Sequence, residues 1–157
     1  MPASEPPTKK VHGVVWFAVQ FLLFCAILLS PFLPQAALPT WLRPTGAIIL
    51  LCGIVIAVMA YRTLGGSHSP WTSPVETGTF VSHGIYSHIR HPIYAGWILG
   101  TFGLALLTRS SVGVGVTVAL FVFYDFKSRE EEKWLVKTYP GYSAYIIAVK
   151  RFIPFVY

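Results

Sequence analysis

The sequence predicts an all-α polytopic membrane protein with about four transmembrane helices and a C-terminal interfacial helix. The first observation is composition: of the 157 residues, 54% are hydrophobic and only 11% are charged, whereas soluble domains carry about a quarter charged residues. The second is that charged residues are absent from four long runs. The third is that the basic residues gather between these runs. A net charge of +6 arranged in this way does not indicate a nucleic-acid binder, which spreads its basic residues over a polar face.

Each uncharged run approaches the length that a helix needs to cross roughly 30 Å of hydrocarbon, about 20 residues. The runs cover residues 11–42, with an apolar heart at 14–33, then 44–61, 91–108 and 110–124. The first run is too long for a cleaved signal peptide and lacks a small-residue cleavage site, so we interpret it as a span. We expect the fourth helix to continue past the membrane surface.

The distribution of basic residues predicts the orientation. With four spans, the two termini and the middle loop share one side of the membrane, and that side holds ten of the twelve lysines and arginines. Only Arg43 and Arg109 lie on the other side. The positive-inside rule therefore places both termini and the loop 63–90 in the cytoplasm.

The third run carries a stripe of small residues, Gly96, Gly100 and Gly103. Glycines at helical spacing let two helix backbones approach closely in lipid. The stripe therefore predicts tight packing of this helix against a neighbour.

Polar residues concentrate in the loop 64–96 and in the segment that follows the fourth run. The loop contains four of the five histidines. His83, His88 and His91 are spaced by five and three, which is not the i, i+4 pair of a helical zinc site, and Glu76 is the only acid in the loop. We therefore expect no metal centre there.

The segment 90–94, with sequence RHPIY, opens the third span. Pro92 suits the first turn of a helix, and the free N–H groups at such a start can receive an anionic or polar group. An interfacial anchor among lipid headgroups explains the same residues equally well.

The segment after the fourth span begins with charged residues of both signs. Glu130, Glu131 and Glu132 are adjacent, so they point in different directions around a helix and at most two of them face one site. Such carboxylates suit a cationic ligand group, while Lys127 or Arg129 suits an acidic one. A solvated helix surface is the alternative.

These motifs together resemble the isoprenylcysteine carboxyl methyltransferase family of integral-membrane enzymes. The resemblance rests on GTFVSHGIYSHIRHPIYAGW, a tight hairpin of two spans, EEEKWL and a closing RFIP, and it covers residues 77–154. The first two spans match the family only in hydrophobicity. The resemblance implies one domain over 1–157, with two N-terminal spans in 1–62 and the cofactor-binding loop, the hairpin and the C-terminal segment in 63–157.

The resemblance also implies S-adenosylmethionine as the methyl donor and assigns the residues that would bind it. The cofactor contacts would fall on Gly78, Thr79, Phe80, Val81, Tyr86, His91, Pro92, Ile93, Tyr94, Glu131 and Glu132. Glu131 would meet the cofactor's ammonium, and His91 with the helix-start N–H groups would meet its carboxylate. A family arginine on the substrate carboxylate falls on Lys127, and Arg129 is the alternative for that role.

The implied reaction is methyl transfer to a lipophilic acceptor from the bilayer, a small molecule or a prenylated chain with an isoprenylcysteine-like carboxylate. A carboxylate acceptor needs no general base because it is already anionic at pH 7. A phospholipid or other lipid N- or O-methyltransferase is the alternative, with His83 or His88 as the base. A nicotinamide-dependent membrane reductase and a non-enzymatic scaffold rank behind. In 157 residues a reductase has little room for a dinucleotide, and a scaffold leaves RHP-x-Y and the glutamates unexplained.

Overall fold

A computed structural model describes residues 7–65 and 80–157, with side chains from residue 13 onward. Within these ranges the chain forms five α-helices and no β-strand beyond two isolated bridges. The helices are α1 (Pro7–Leu29), α2 (Leu42–Leu64), α3 (Pro92–Leu107), α4 (Ser111–Thr138) and α5 (Tyr142–Ala148). The predicted all-α class is confirmed.

Three of the helices are long and apolar enough to cross a membrane, over Gly13–Phe32, Leu42–Leu64 and Ser111–Thr138. The fourth predicted span is the shorter apolar helix α3, whose 16 residues rise about 24 Å. Pro92 begins α3, and Arg109, with a φ of 61°, turns the chain into α4. As predicted, α4 runs far beyond the end of its uncharged run, for 28 residues in all.

The outer faces of α1 and α2 carry large apolar side chains that no other part of the described chain covers. Leu22 and Phe21 are 65% and 60% exposed, and Ile48 and Leu51 are exposed to a similar degree. A surface of this kind is unfavourable in water and favourable in hydrocarbon. The bilayer therefore covers these faces.

The helices α2 and α3 touch backbone to backbone through glycines. A Cβ added at Gly53 would lie 2.4 Å from the Gly100 nitrogen, and one at Gly103 would lie 2.3 Å from the Leu50 nitrogen. Real Cβ atoms essentially never come this close to another atom, so the contact exists only because these residues lack side chains. The predicted packing surface is confirmed at Gly96 and Gly103, whereas a Cβ at Gly100 would meet only the Leu50 side chain at 3.9 Å.

At the end of the bundle away from the basic loop, the α1–α2 connection is fastened to the α3–α4 turn. The Gln35 side-chain oxygen accepts hydrogen bonds from the Val112 nitrogen and the Ser110 hydroxyl, both at 2.9 Å. The Arg109 guanidinium donates to the Leu38 carbonyl at 2.6 Å. These bonds cap the N-terminus of α4 and fix α1 alongside it.

The predicted interfacial helix over 142–153 is only partly correct, because α5 ends five residues earlier. The chain there becomes extended and supplies carbonyls to the segment just before α3. The Arg90 nitrogen donates to the Lys150 carbonyl at 2.8 Å, and the His91 nitrogen donates to the Arg151 carbonyl at 3.0 Å. The extended backbone at Val149 places these two carbonyls beside the start of α3, so pairing with α3 replaces the last turns of the predicted helix.

We expect Gly103→Ala to destabilise the protein by about 1–3 kcal/mol, because the added methyl group forces α2 and α3 apart. The apparent Tm in detergent should fall by about 2–4 °C for each kcal/mol. Gly100→Ala is the matched control, because a Cβ there meets only the end of the Leu50 side chain, at 3.9 Å. Equal Tm values for the two variants would contradict the close backbone contact.

Candidate active site

The first turn of α3 and the second half of α4 bring most of the sequence-predicted residues together. On α4, Tyr124, Lys127 and Glu131 follow each other at three- and four-residue spacing, so they share one face of the helix. At the start of α3, Tyr94 lies one turn after His91, and its side chain faces these three residues of α4. Pro92 is fully buried beneath this turn and Ile93 is half-buried beside it. We call Tyr94, Tyr124, Lys127 and Glu131 the α3–α4 pocket residues.

Glu131 is an almost buried carboxylate with capacity for a further partner. The Tyr94 hydroxyl donates a hydrogen bond to one of its oxygens, and the His91 Nδ1 lies 3.7 Å from the other. The Glu131 side chain keeps 15% of its surface exposed. Because a carboxylate offers about four acceptor positions, Glu131 can still receive a cationic group.

A stack of rings forms the wall next to Glu131. The Tyr94 ring lies 4.3 Å from the Tyr124 ring at an interplanar angle of 13°, and 5.5 Å from the His91 ring at 2°. The stack holds the Tyr94 hydroxyl on Glu131, and of its three rings only that of Tyr94 belongs to a partly exposed residue. Aromatic surface favours flat ligands and cations.

Glu132 has a different environment from its neighbour. Its carboxylate accepts hydrogen bonds from the Arg90 Nε at 2.8 Å and the Arg151 Nη2 at 3.0 Å, and the His91 Nε2 lies at 3.1 Å. Arg151 also binds Asp125 at 2.8 Å. The structure therefore engages Glu132, predicted to bind the cofactor, in an ion network that joins α3, α4 and the C-terminal segment.

Glu130, the third of the adjacent glutamates, points away from the pocket. Its side chain is 45% exposed and forms an ion pair of 2.6 Å with Lys133 on the outer face of α4. The three carboxylates thus take three roles, with only Glu131 open toward the pocket.

Lys127 is a buried cation without an ionic partner. It is 3% exposed, its ammonium donates to the Gln20 side-chain oxygen on α1 at 2.9 Å, and it lies 5.3 Å from the centre of the Tyr94 ring. Among the residues that the structure describes, no carboxylate lies within 4.0 Å of this ammonium. Glu131 is its electrostatic neighbour at longer range.

The other predicted acceptor cation is not in the pocket. The Arg129 side chain is 53% exposed and pairs with Asp125 at 2.8 Å and with the Tyr157 hydroxyl at 3.2 Å. Since Arg129 lies on a different face of α4 from Lys127, the structure brings only Lys127 to the site.

The loop residues before α3 contribute a second aromatic group. Phe80 packs its ring against three tyrosines of the C-terminal segment at centroid distances of 5.2–5.9 Å, namely Tyr139, Tyr142 and Tyr145. Tyr86 is buried, its carbonyl accepts from the Tyr145 hydroxyl, and burial raises the pKa of its phenol. Val81 is half-buried next to Phe80. The predicted contacts Gly78 and Thr79 lie outside the described residues.

Two residues of this site were missed from the sequence, Gln20 and Tyr124. The signal for Gln20 was an amide inside an apolar span, where an unpartnered polar group is costly. The signal for Tyr124 was its position one turn before Lys127 on α4. Tyr124 is fully buried, and within the described residues its hydroxyl has no hydrogen-bond partner.

The arrangement can bind two ligand groups of opposite charge at once. Glu131 suits a cation and Lys127 suits an anion, and the aromatic wall between them suits a flat or cationic body. Of the hydroxyls beside them, that of Tyr94 is held by Glu131 and that of Tyr124 has no hydrogen-bond partner in the described part of the chain. The geometry favours positioning of ligands for a transfer between them.

Comparison with known proteins also indicates a group-transfer enzyme fold, because the matching family model and two similar proteins are named as methyltransferases. The phospholipid methyltransferase family model matches residues 42–141, which is 100 of the 157 residues. The chain is 33% identical over 121 residues to the protein-S-isoprenylcysteine O-methyltransferase of Xenopus laevis, covering 74% of this chain and 42% of that one. It is 32% identical over 104 residues to the Homo sapiens enzyme of the same name, covering 65% of this chain and 36% of that one. The chain thus spans less than half the length of these curated relatives.

The fold also has a counterpart among solved structures. The eukaryotic intramembrane Ras methyltransferase, an isoprenylcysteine carboxyl methyltransferase, superimposes with a TM-score of 0.68 at 22% identity, covering 99% of this chain and 55% of that one. At this identity the likeness shows the fold alone. With the family match over α2, α3 and α4, the chain belongs to the phospholipid methyltransferase family and is similar to protein-S-isoprenylcysteine O-methyltransferases.

Proposed function

We propose that the protein transfers a methyl group from S-adenosylmethionine to a lipophilic carboxylate drawn from the bilayer, such as that of an isoprenylcysteine. The observation that carries the proposal is the pair Glu131 and Lys127. They lie one turn apart on α4, both largely buried, yet no ion pair within 4.0 Å joins them in the described part of the chain. Opposite charges kept apart in a buried site are available to two different ligands.

The pocket residues fit the methyl donor. Its ammonium suits Glu131, which Tyr94 already orients, and its sulfonium and adenine suit the aromatic surface of Tyr94 and Tyr86. When bound, the donor supplies an electrophilic methyl group on a positively charged sulfur. The protein then holds this end at a fixed depth near the membrane surface and excludes water from it.

The acceptor end is served by Lys127. Its ammonium attracts a carboxylate, and Gln20 fixes its direction toward α1, the helix with a lipid-covered outer face. In the transfer, a carboxylate oxygen forms a bond to the methyl carbon as the carbon–sulfur bond breaks. No proton has to move, so the proposed transfer needs no base from the site.

Sidedness follows from charge. The loop before α3, the second half of α4 and the C-terminal segment carry most of the basic residues, and the positive-inside rule puts them in the cytoplasm. The methyl donor therefore reaches the pocket from the cytoplasm, while the acceptor arrives from the bilayer.

A second candidate function is methylation of a phospholipid amine, which the description of the matching family model favours. An amine has to lose a proton, so it needs a base near Lys127 and Glu131. His83 and His88, the bases considered for this role, are exposed and lie outside the group of pocket residues. His91 does lie beside Glu131, but both its ring nitrogens face glutamates. A carboxylate acceptor, which needs no base, agrees better with these residues.

We expect purified protein to bind S-adenosylhomocysteine in calorimetry, and Glu131→Gln to weaken that binding about ten- to hundredfold. The reason is the loss of a charge-assisted contact to the ammonium, which contributes roughly 1.5–3 kcal/mol. Glu130→Gln is the matched control and should change little, because Glu130 binds Lys133 on the outer face.

Equal effects of the two glutamate substitutions would remove Glu131 from the site. Binding of NADPH in place of S-adenosylhomocysteine would favour a reductase, and binding of neither would favour a scaffold.

We expect Lys127→Met to raise the KM for a carboxylate acceptor about tenfold or more while leaving affinity for S-adenosylhomocysteine nearly unchanged. Methionine keeps most of the buried volume and removes the charge that attracts the acceptor. Arg129→Met is the control, because Arg129 lies on the exposed face with Asp125. Steady-state kinetics with acceptor varied checks this, and a fall in kcat alone would argue against an acceptor site at Lys127.

A further inference from the structure

The Tyr124 hydroxyl is the one buried side-chain polar atom of the described residues that lacks a hydrogen-bond partner. The residue is 0% exposed, so bulk water does not reach it. Buried tyrosine hydroxyls nearly always have a partner, because leaving one unpaired forfeits its hydration without replacement. The Tyr124 hydroxyl has no partner in the free protein and lies among the residues of the candidate site. This combination indicates that its partner is a ligand atom.

The surroundings define which end of the pocket this hydroxyl serves. The Tyr124 ring is stacked on Tyr94 at 4.3 Å, and the electrostatic neighbours of its hydroxyl are Glu131 and Tyr61. The Tyr94 hydroxyl is already committed to Glu131. The unpaired oxygen therefore lies in the environment of the Glu131 carboxylate.

The ring donors near Glu131 are engaged, except for Tyr124. Both ring nitrogens of His91 face glutamates, with Nε2 at 3.1 Å from Glu132 and Nδ1 at 3.7 Å from Glu131. The Lys127 ammonium donates one of its three N–H groups to Gln20, and the proposed function assigns its remaining donors to the acceptor. Among His91, Tyr94 and Tyr124, only the Tyr124 hydroxyl can donate without breaking a contact.

We propose that the Tyr124 hydroxyl, in place of His91, binds the carboxylate of the methyl donor's amino-acid end, while Glu131 binds its ammonium. This assignment rests on the proposed function and adds a residue to it. In an α-amino acid the ammonium and the carboxylate are attached to the same carbon. When Glu131 binds the ammonium, the carboxylate therefore lies close by, within reach of a hydrogen-bond donor near Glu131.

A neutral phenol suits this place better than a cation. A lysine or arginine beside Glu131 would form an ion pair with it in the free protein and close the site to the ammonium. A phenol donates to a carboxylate without neutralising Glu131. The pair Glu131 and Tyr124 therefore recognises both charges of an amino-acid end and leaves Glu131 without a lysine or arginine partner in the free protein.

The test compares Tyr124→Phe with the unaltered protein by calorimetric titration of S-adenosylhomocysteine. Loss of a hydrogen bond to a charged group should weaken binding about ten- to hundredfold. Decarboxylated S-adenosylmethionine keeps the ammonium and lacks the carboxylate, so its affinity should be the same for both proteins. An equal loss with this second probe would overturn the assignment to the carboxylate.

The Tm of the ligand-free protein distinguishes a binding role of the Tyr124 hydroxyl from a structural one, because only a structural role predicts a lower Tm on its removal. Because the hydroxyl has no partner, Tyr124→Phe should leave the Tm of the ligand-free protein unchanged or raise it. Tyr157→Phe is the control: that hydroxyl donates to Asp125 at 2.6 Å outside the pocket, so its loss should lower the Tm and leave S-adenosylhomocysteine affinity unchanged. A lowered Tm for Tyr124→Phe, with unchanged affinity, would assign the hydroxyl to folding.

The outcomes separate this inference from the proposed function. If the unaltered protein binds S-adenosylhomocysteine and Tyr124→Phe binds it equally well, only the role of Tyr124 is wrong. If the unaltered protein does not bind S-adenosylhomocysteine, the proposed function fails and this inference fails with it.

Discussion

The buried carboxylate of Glu132 holds together the three segments that build the site. It accepts from Arg90 at the start of α3 and from Arg151 in the C-terminal segment, while itself belonging to α4. A buried ion network of this kind is stable only when all its members are present, since removing one leaves an uncompensated charge. Because Glu132 meets both arginines, Glu131 next to it is left with a phenol and an imidazole, and it keeps its capacity for a ligand.

Helix packing carries this local arrangement through the bundle. Glycine contacts hold α3 against α2 at backbone distance. The hydrogen bond from the Val112 nitrogen to the Gln35 side chain, at the end of the bundle away from the site, fixes α1 beside α4. With both fixed, Gln20 of α1 reaches Lys127, and Tyr94 of α3 reaches Glu131. Lys127 and Glu131 therefore stay apart because their hydrogen-bond partners lie on different helices, Gln20 on α1 and Tyr94 on α3. A rigid frame of this type is what transfer between two aligned ligands requires.

Much of the fold could be predicted from the sequence because charge is costly in hydrocarbon. The gaps between charged residues predicted four spans; α1, α2 and α4 are long enough to cross a membrane, and the fourth is the shorter apolar helix α3. Helix geometry also predicted that adjacent glutamates differ, although it gave no means of telling which one faces inward. The end of α5 was missed because it depends on carbonyls that pair with Arg90 and His91, about 60 residues earlier. Gln20 and Tyr124 were missed for the same reason, since their importance depends on contacts between helices.

In the proposed reaction the pocket aligns a methyl donor held at Glu131 with a lipid carboxylate held at Lys127. This alignment is tested with the purified protein in phosphatidylethanolamine-containing vesicles, supplied with methyl-labelled S-adenosylmethionine and N-acetyl-S-farnesylcysteine. Label should appear in the farnesylcysteine as a base-labile methyl ester, with no transfer when that carboxylate is already esterified. Label found only in base-stable N-methyl groups of the phosphatidylethanolamine would contradict it.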